Sequence, residues 1–350
     1  MPAVVARRDG AGWHLEGSWP DAVVANRFLA HLVTRAFSPA TVRAYAYDLV
    51  NFGRFCVEGG VRVGDAVPTD FFDYLEWQSG SRPVRGGRVV RLAAHRGPAA
   101  ATMNRRIAAV RALFAFAVVA GVRPDSPVPA PRRGSGLRAP RRGLLGHLPT
   151  RLQRRGGRLV QQPRRLPEAL EPAEVAAFLA DLTTHRDRAM ALGMLLGGLR
   201  AGEVRGLRLA DVDLGLRRVR VVGKGGRERM VPLDRAFFTE LAGYLRAERP
   251  PGCATPECFV VLRGPTSGQA MTEAGLRRIF RTHRARSGAT RVRPHRLRHT
   301  FGTELAAAGI DLLVLRDLMG HASPETTAAY VHLSPETLAA EYAKARAGAR

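Results

Sequence analysis

The chain has 350 residues, room for about two domains, and its 45% hydrophobic content is that of a globular protein and excludes a wholly disordered chain. Fifty-five Lys and Arg against 30 Asp and Glu leave a formal net charge of +25, nearly all of it from arginine, so polyanions are the expected partners, nucleic acid first. Cys56, Cys253 and Cys258 are too few, and odd in number, for a disulfide framework, and no lipidation motif or long apolar run points to a membrane.

The segment from Met1 to Arg8 lacks a signal-peptide core, so a cytoplasmic location with no membrane partner is expected. Cys253 and Cys258 sit in a Pro-rich loop without two further ligands at zinc spacing, and no acidic metal cluster is visible, so neither metal nor cofactor is expected.

In chain order, residues 1–20 read as a loose leader. From Asp21 to about Arg35, Val24, Phe28, Leu29, Leu32 and Val33 recur at helical spacing. Ser38-Pro39 caps a second helix carrying Val42, Tyr45, Leu49, Phe52 and Phe55, which Gly59-Gly60 ends. A third helix starts at Pro68 or Thr69. Residues 80–97 form an arginine- and glycine-rich insertion, and a fourth helix runs from about Pro98 to Ala120 with Arg105, Arg106 and Arg111 on its polar side. Residues 21–122 are thus a small helical bundle.

Residues 123–167 are a linker by composition. Between Trp77 and Pro167 there are twenty arginines and one acid, Asp125. A run of this kind is ordinarily a solvated tail. Joining two domains, it reads instead as a strap along a DNA backbone, with Gly143–Arg155 as a possible short helix. The second domain, 168–350, opens with helices at Glu171-Pro172 and at His185–Gly197, followed by Gly198-Leu199-Arg200-Ala201-Gly202-Glu203. A strand at 217–222, a turn at Gly223-Lys224-Gly225-Gly226 and a return through Arg227 to Pro232 make a hairpin. Helices follow at about 234–248 and 272–287, with a short buried stretch, Phe259–Leu262, between them.

The last third holds Pro294-His295-Arg296-Leu297-Arg298-His299 and Gly320-His321, with Tyr330 nine residues after His321. His295 and Arg298 are three apart and share a helix face. Gly309 and Gly320 read as helix stops, and Ser323-Pro324-Glu325 as a fresh start for a short helix ending at Tyr330. A guanidinium fork matches phosphate oxygens. A tyrosine hydroxyl, with an ordinary pKa near 10, is a nucleophile only beside a base and a charge-stabilising site. Each residue alone is more often structural; four at this spacing point to phosphate chemistry.

These motifs resemble those of the tyrosine recombinases, the phage-integrase and Xer-like family, in which His-x-x-Arg-His is followed by Gly-His and a tyrosine nine residues on. Arg200 and Glu203 match that family's Gly-Leu-Arg-x-x-Glu box, and Lys224 its hairpin lysine. Gly202 stands where the family often has serine or threonine. The resemblance covers about residues 170–345 and 21–121.

It implies a mainly α (α+β) chain of the DNA breaking-rejoining fold: an N-terminal SAM-like core-binding bundle, then a mostly helical catalytic domain with a small antiparallel sheet. The implied activity is site-specific recombination of double-stranded DNA through a 3′-phosphotyrosine, without ATP or metal. Arg200 and Arg298 would clamp the phosphate, His321 would donate to it, and His295 would serve Tyr330 as base or partner. Lys224 would protonate the 5′-oxygen, and Glu203 would orient His295 or Arg200. Arg43, Arg105, Arg106, Arg111 and Arg227 are the candidate DNA contacts, and His299 is expected to be mainly structural. A last helix, about 335–347, with Leu338, Ala339, Tyr342 and Ala345 on one side, implies docking between subunits: a homo-tetramer on DNA, or assembly with a related recombinase. The basic insertion and the long linker lean toward a mobile-element enzyme. Two other readings stay open, a type IB topoisomerase and a DNA-binding protein with a decayed site.

Overall fold

A computed structural model describes residues 4–10, 12–80, 97–128, 160, 169–223, 226–321 and 327. The chain divides into two compact units, Met1–Arg164 and Arg165–Arg350. Among the described residues no helix is long and apolar enough to cross a membrane.

The first unit opens with an antiparallel hairpin, β1 (Val5–Asp9) and β2 (Gly12–Glu16), in the register Val5↔Glu16 to Asp9↔Gly12. The loose leader expected for residues 1–20 is therefore corrected. Val4, Leu15 and Trp19 are buried, and Asn26 of the next helix holds both the N–H and the C=O of Leu15, at 2.7 and 3.0 Å. Asp9-Gly10 is the local signal for this turn, since Gly takes φ +52° there.

Four helices follow: α1 (Ala22–Thr34), α2 (Pro39–Gly59), α3 (Pro68–Ser79) and α4 (Ala100–Val119). The α2 ends are local chemistry. Ser38 Oγ accepts from Thr41 N at 3.2 Å, Pro39 occupies the first turn, and Gly60 closes the helix in the left-handed region. Phe52 is the hub of the core, with Trp19, Tyr74 and Phe114 packed edge-on against it.

Inside this core Asp48 is 1% exposed and bonds Arg105 Nη1 at 2.6 Å. Burial raises its pKa to about 6, and the Arg105 and Arg106 charges only partly offset this. The folded state thus binds a proton at Asp48 that the unfolded state, near 3.8, has already lost. Stability from this group falls as pH rises from about 4 to 6. Asp48→Asn is expected to remove that fall; urea unfolding of both proteins at pH 4.5 and 7 measures it.

The second unit contains α5 (Pro172–Asp181), α6 (His185–Leu196), α7 (Ala201–Gly206), α8 (Arg235–Ala247), α9 (Glu273–Ser287), α10 (Pro294–Ala307) and α11 (Leu312–Met319). A three-stranded antiparallel sheet, β3 (Val212–Asp213), β4 (Arg218–Val222) and β5 (Glu228–Pro232), lies between α7 and α8 in sequence, in the order β3-β4-β5. Val219, Val221 and Val231 turn inward, and Phe178, Phe237, Tyr244, Phe259 and Leu297 fill the core. Thr184, Thr272 and Asp311 cap α6, α9 and α11 with their side chains. The mainly helical architecture with small antiparallel sheets is the expected fold class. The expected helices at Gly143–Arg155 and 335–347 lie outside the described residues, and of the one at 324–330 only Thr327 is described.

Candidate active site

Four of the residues singled out from sequence line one cleft of roughly 810 Å³: Arg200, His295, Arg298 and His321. Three separate segments deliver them. Arg200 is the N-cap of α7, His295 and Arg298 stand on the first turns of α10, and His321 follows the left-handed Gly320 that ends α11. α10 packs across α6, with Leu297 fully buried, and this aims the His295–Arg298 face at the cleft.

Both arginines are held by main-chain carbonyls of distant segments. Arg298, 8% exposed, donates to Gly198 O and Met319 O. Arg200 Nη2 donates to Gly320 O at 2.8 Å. Gly198 is required where it is: its φ is +59°, and an added Cβ would lie 2.5 Å from the Phe301 ring.

Glu203 sits under the cleft with its side chain 4% exposed. It accepts from Arg200 N at 2.8 Å and from Arg200 Nη1 at 2.7 Å, and from Arg229 through both oxygens at 2.9 Å. Arg298 Nη1 is 4.0 Å away. Burial pushes this carboxyl up, but the donors from Arg229 and Arg200 outweigh it and hold the pKa at about 2. Of the two partners expected for Glu203, it orients Arg200; its hydrogen bonds do not reach His295.

The histidines are held neutral at pH 7. Burial, then the charges of Arg298 and Arg200, bring His321 down to about 4. Burial and the neighbouring Arg293 and Arg296 lower His295. His299 is lowered by burial, then by His295 and Arg298; its ring stands edge-on to His295 at 6.1 Å, on the cleft wall. A neutral imidazole keeps one N–H donor and one acceptor nitrogen. His321 Nδ1 shares a 2.9 Å hydrogen bond with Thr327 Oγ1, which orients the ring.

Lys224 and Tyr330 lie outside the described residues. The described edges of the hairpin turn are held by Gly223 N, which donates to Arg227 O at 2.7 Å. Arg227 is exposed there. The other candidate DNA contacts belong to the first unit and differ in character. Arg43 is exposed and stacks near Trp13 and Tyr47, at 5.9 and 5.7 Å from the ring centroids. Arg105 pairs with Asp48. Arg106 donates to Gln78 at 3.2 Å, and Arg111 has Nε and Nη2 buried without a hydrogen-bond partner among the described residues.

Sequence reading passes over three features of the cleft. Arg277, Arg281 and Arg284 of α9 form one wall, a spacing of i, i+4 and i+7 that is visible in the sequence. Thr327 touches His321, and no local pattern marks it. Arg229 resembles an ordinary strand residue, because its partners are 26 and 89 positions away. Among the described residues no group of three or more His, Cys, Asp or Glu side chains could hold a metal ion. The arrangement can grip a dianionic or monoanionic tetrahedral group with two fixed guanidiniums and neutral imidazole donors.

Two family models match the chain: the phage integrase family over residues 168–337, and the phage integrase N-terminal SAM-like domain over 25–121. The tyrosine recombinase XerC of Myxococcus xanthus is 32% identical over 330 residues, which are 90% of this chain and 95% of that protein. XerC of Pelobacter propionicus is 31% identical, over 92% of this chain and 95% of its own length. Among solved structures, a Tn1549 transposon integrase in complex with transposon right end DNA superposes with a TM-score of 0.62 at 16% identity, covering 92% of this chain and 99% of that one. The XerH site-specific recombinase bound to its palindromic difH substrate superposes with a TM-score of 0.59 at 17% identity, covering 92% and 87%. These two likenesses are of fold.

Proposed function

Because this chain belongs to the phage integrase family of tyrosine recombinases, we propose that it cuts and rejoins double-stranded DNA at a specific site through a covalent 3′-phosphotyrosine. The observation that carries the assignment of residues is the meeting of Arg200, Arg298, His295 and His321 in one cleft over a single shared carboxylate.

Three guanidiniums and one carboxylate leave about two net positive charges, which suits a scissile phosphate. Arg200 and Arg298 bind its non-bridging oxygens and stabilise the charge that builds on them in the pentacovalent transition state. Donors of this kind are each worth on the order of 10²–10³ in rate. His321, neutral and oriented by Thr327, donates a further hydrogen bond. His295, also neutral, accepts the Tyr330 proton as its oxygen attacks phosphorus. Lys224 gives a proton to the departing 5′-oxygen. The phosphodiester energy stays in the phosphotyrosine bond, so rejoining needs no ATP. The basic first unit and the exposed Arg227 hold the duplex through its phosphates. The working assembly is an oligomer on DNA, a tetramer by analogy with the family, formed inside the cell.

The test is to mix the full chain with DNA of its host, stop with SDS, capture the covalently attached fragments and sequence their ends. The expected result is one recurrent, inverted-repeat site, with protein on the 3′-phosphate and a free 5′-hydroxyl. Scattered adducts would make it a relaxing topoisomerase. No adduct, even on nicked suicide substrates, would overturn the assignment.

A further inference from the structure

Arg229, on β5, is the third guanidinium around Glu203, and no step above uses it. It is nearly buried, with its side chain 12% exposed. Its two terminal nitrogens take both Glu203 oxygens, each at 2.9 Å, and its Nε donates to Leu318 O at 2.8 Å. All three nitrogens of the guanidinium are therefore engaged inside the protein.

Two physical consequences follow from this placement. The first is electrostatic. A bidentate guanidinium pins a carboxylate in one orientation. Pinned this way, Glu203 gives Arg200 Nη1 a single oxygen and stays 4.0 Å from Arg298 Nη1. Released, the carboxylate could turn toward Arg298 as well as Arg200 and offset more of their charge.

The second consequence is positional. Gly320 passes directly against Arg229: its φ is +59°, and an added Cβ would lie 2.9 Å from Nη1. Gly320 also supplies the carbonyl that holds Arg200, and it precedes His321. On the other side Gly223, the residue before Lys224, would place a Cβ 3.7 Å from Arg229 Nη1 and 3.6 Å from Glu203 Oε1. One side chain thus bonds both the α11 corner and the Glu203 carboxylate, and lies beside the edge of the hairpin turn.

We propose that Arg229 is a positioning residue for strand cleavage, holding Glu203 and the 318–320 corner so that Arg200 and Arg298 keep their charge, and His321 its place, at the scissile phosphate. The proposal rests on the recombinase reading above.

The test uses full-length Arg229→Gln and Arg229→Lys with two readouts. One is the single-turnover cleavage rate at saturating DNA, on the site recovered by adduct mapping. Arg229→Gln is expected to bind DNA like the wild type and to cleave about 10²-fold more slowly, the cost of misplacing reacting groups by about 1 Å. Arg229→Lys keeps the charge without the fork, and is expected to lie between the two. The second readout is the NMR titration of the His321 ring in the free protein, assigned by its loss in His321→Asn. The Arg229 charge is among those that depress this ring, so its pKa should rise from about 4 in Arg229→Gln and stay low in Arg229→Lys.

A wild-type cleavage rate in both variants would overturn the proposal. A slow Arg229→Gln whose His321 titration has not moved would also overturn it, leaving Arg229 as structural support. If Arg229→Gln does not fold, Arg229→Lys decides: a full wild-type rate removes the role and a loss at unchanged DNA affinity supports it. If the wild type forms no adduct, the recombinase reading fails, and the His321 titration still judges what Arg229 does to the site.

Discussion

Tyr330→Phe is expected to bind DNA as tightly as the wild-type chain and to leave no covalent adduct after SDS. The substitution removes one oxygen, the atom assigned to attack phosphorus, and leaves every guanidinium of the cleft in place. DNA affinity is dominated by phosphate neutralisation, which this change does not touch. Chemistry has no substitute for the lost oxygen, because water at that position yields a nick and not a protein-linked end. The measurement is a nicked suicide substrate, on which the wild type should trap as a 3′-linked complex and Tyr330→Phe should stay free. An adduct in Tyr330→Phe at the wild-type position would move the nucleophile elsewhere.

Glu203→Gln carries the second large effect, and it acts on both stability and rate. The carboxylate is the shared partner of Arg229 and Arg200 and lies close to Arg298, which is itself buried. Removing one partner of a buried ionic cluster costs about 3–5 kcal/mol, because the charges left behind are unpaired. In a chain of this size that lowers the melting temperature by on the order of 10 °C. An amide also presents two donors where Arg200 N, Arg200 Nη1 and the Arg229 fork already donate. Cleavage should fall together with stability.

The pH signature separates this from a packing defect. The folded pKa of Glu203, about 2, lies below its ordinary value of 4.5, so its stabilisation is complete above about 4.5 and is lost as pH falls toward 2. Thermal melts of wild type and Glu203→Gln should therefore differ most at neutral pH and converge in acid. A constant difference across that range would count against the ionic account.

Much of this molecule is local and legible in the order of its residues. Ser38-Pro39, Thr184, Thr272 and Asp311 start helices, and Gly60 and Gly320 stop them, because a cap needs only side chains within three or four residues. The His295–Arg298 spacing shares a face for the same short-range reason, and the family pattern by itself puts Arg200, Lys224, His321 and Tyr330 in register. The hairpin at Val5–Glu16 escapes a local reading although Asp9-Gly10 announces it, since what fixes it is the distant clasp of Asn26 on Leu15.

Net charge, the order of the main helices and the candidates for phosphate chemistry were legible in the sequence alone. What only the tertiary structure decided is how charge is shared among them. Glu203 serves Arg200 and Arg229 and not His295, Arg200 leans on the carbonyl of Gly320, 120 residues away, and Arg298 on those of Gly198 and Met319. The neutral state of His321 depends on burial and on guanidiniums from three different elements. Burial and through-space Coulomb interaction have no fixed sequence separation, so no local spacing encodes them; they exist only once α6, α7, α10, α11 and β5 have packed around one carboxylate.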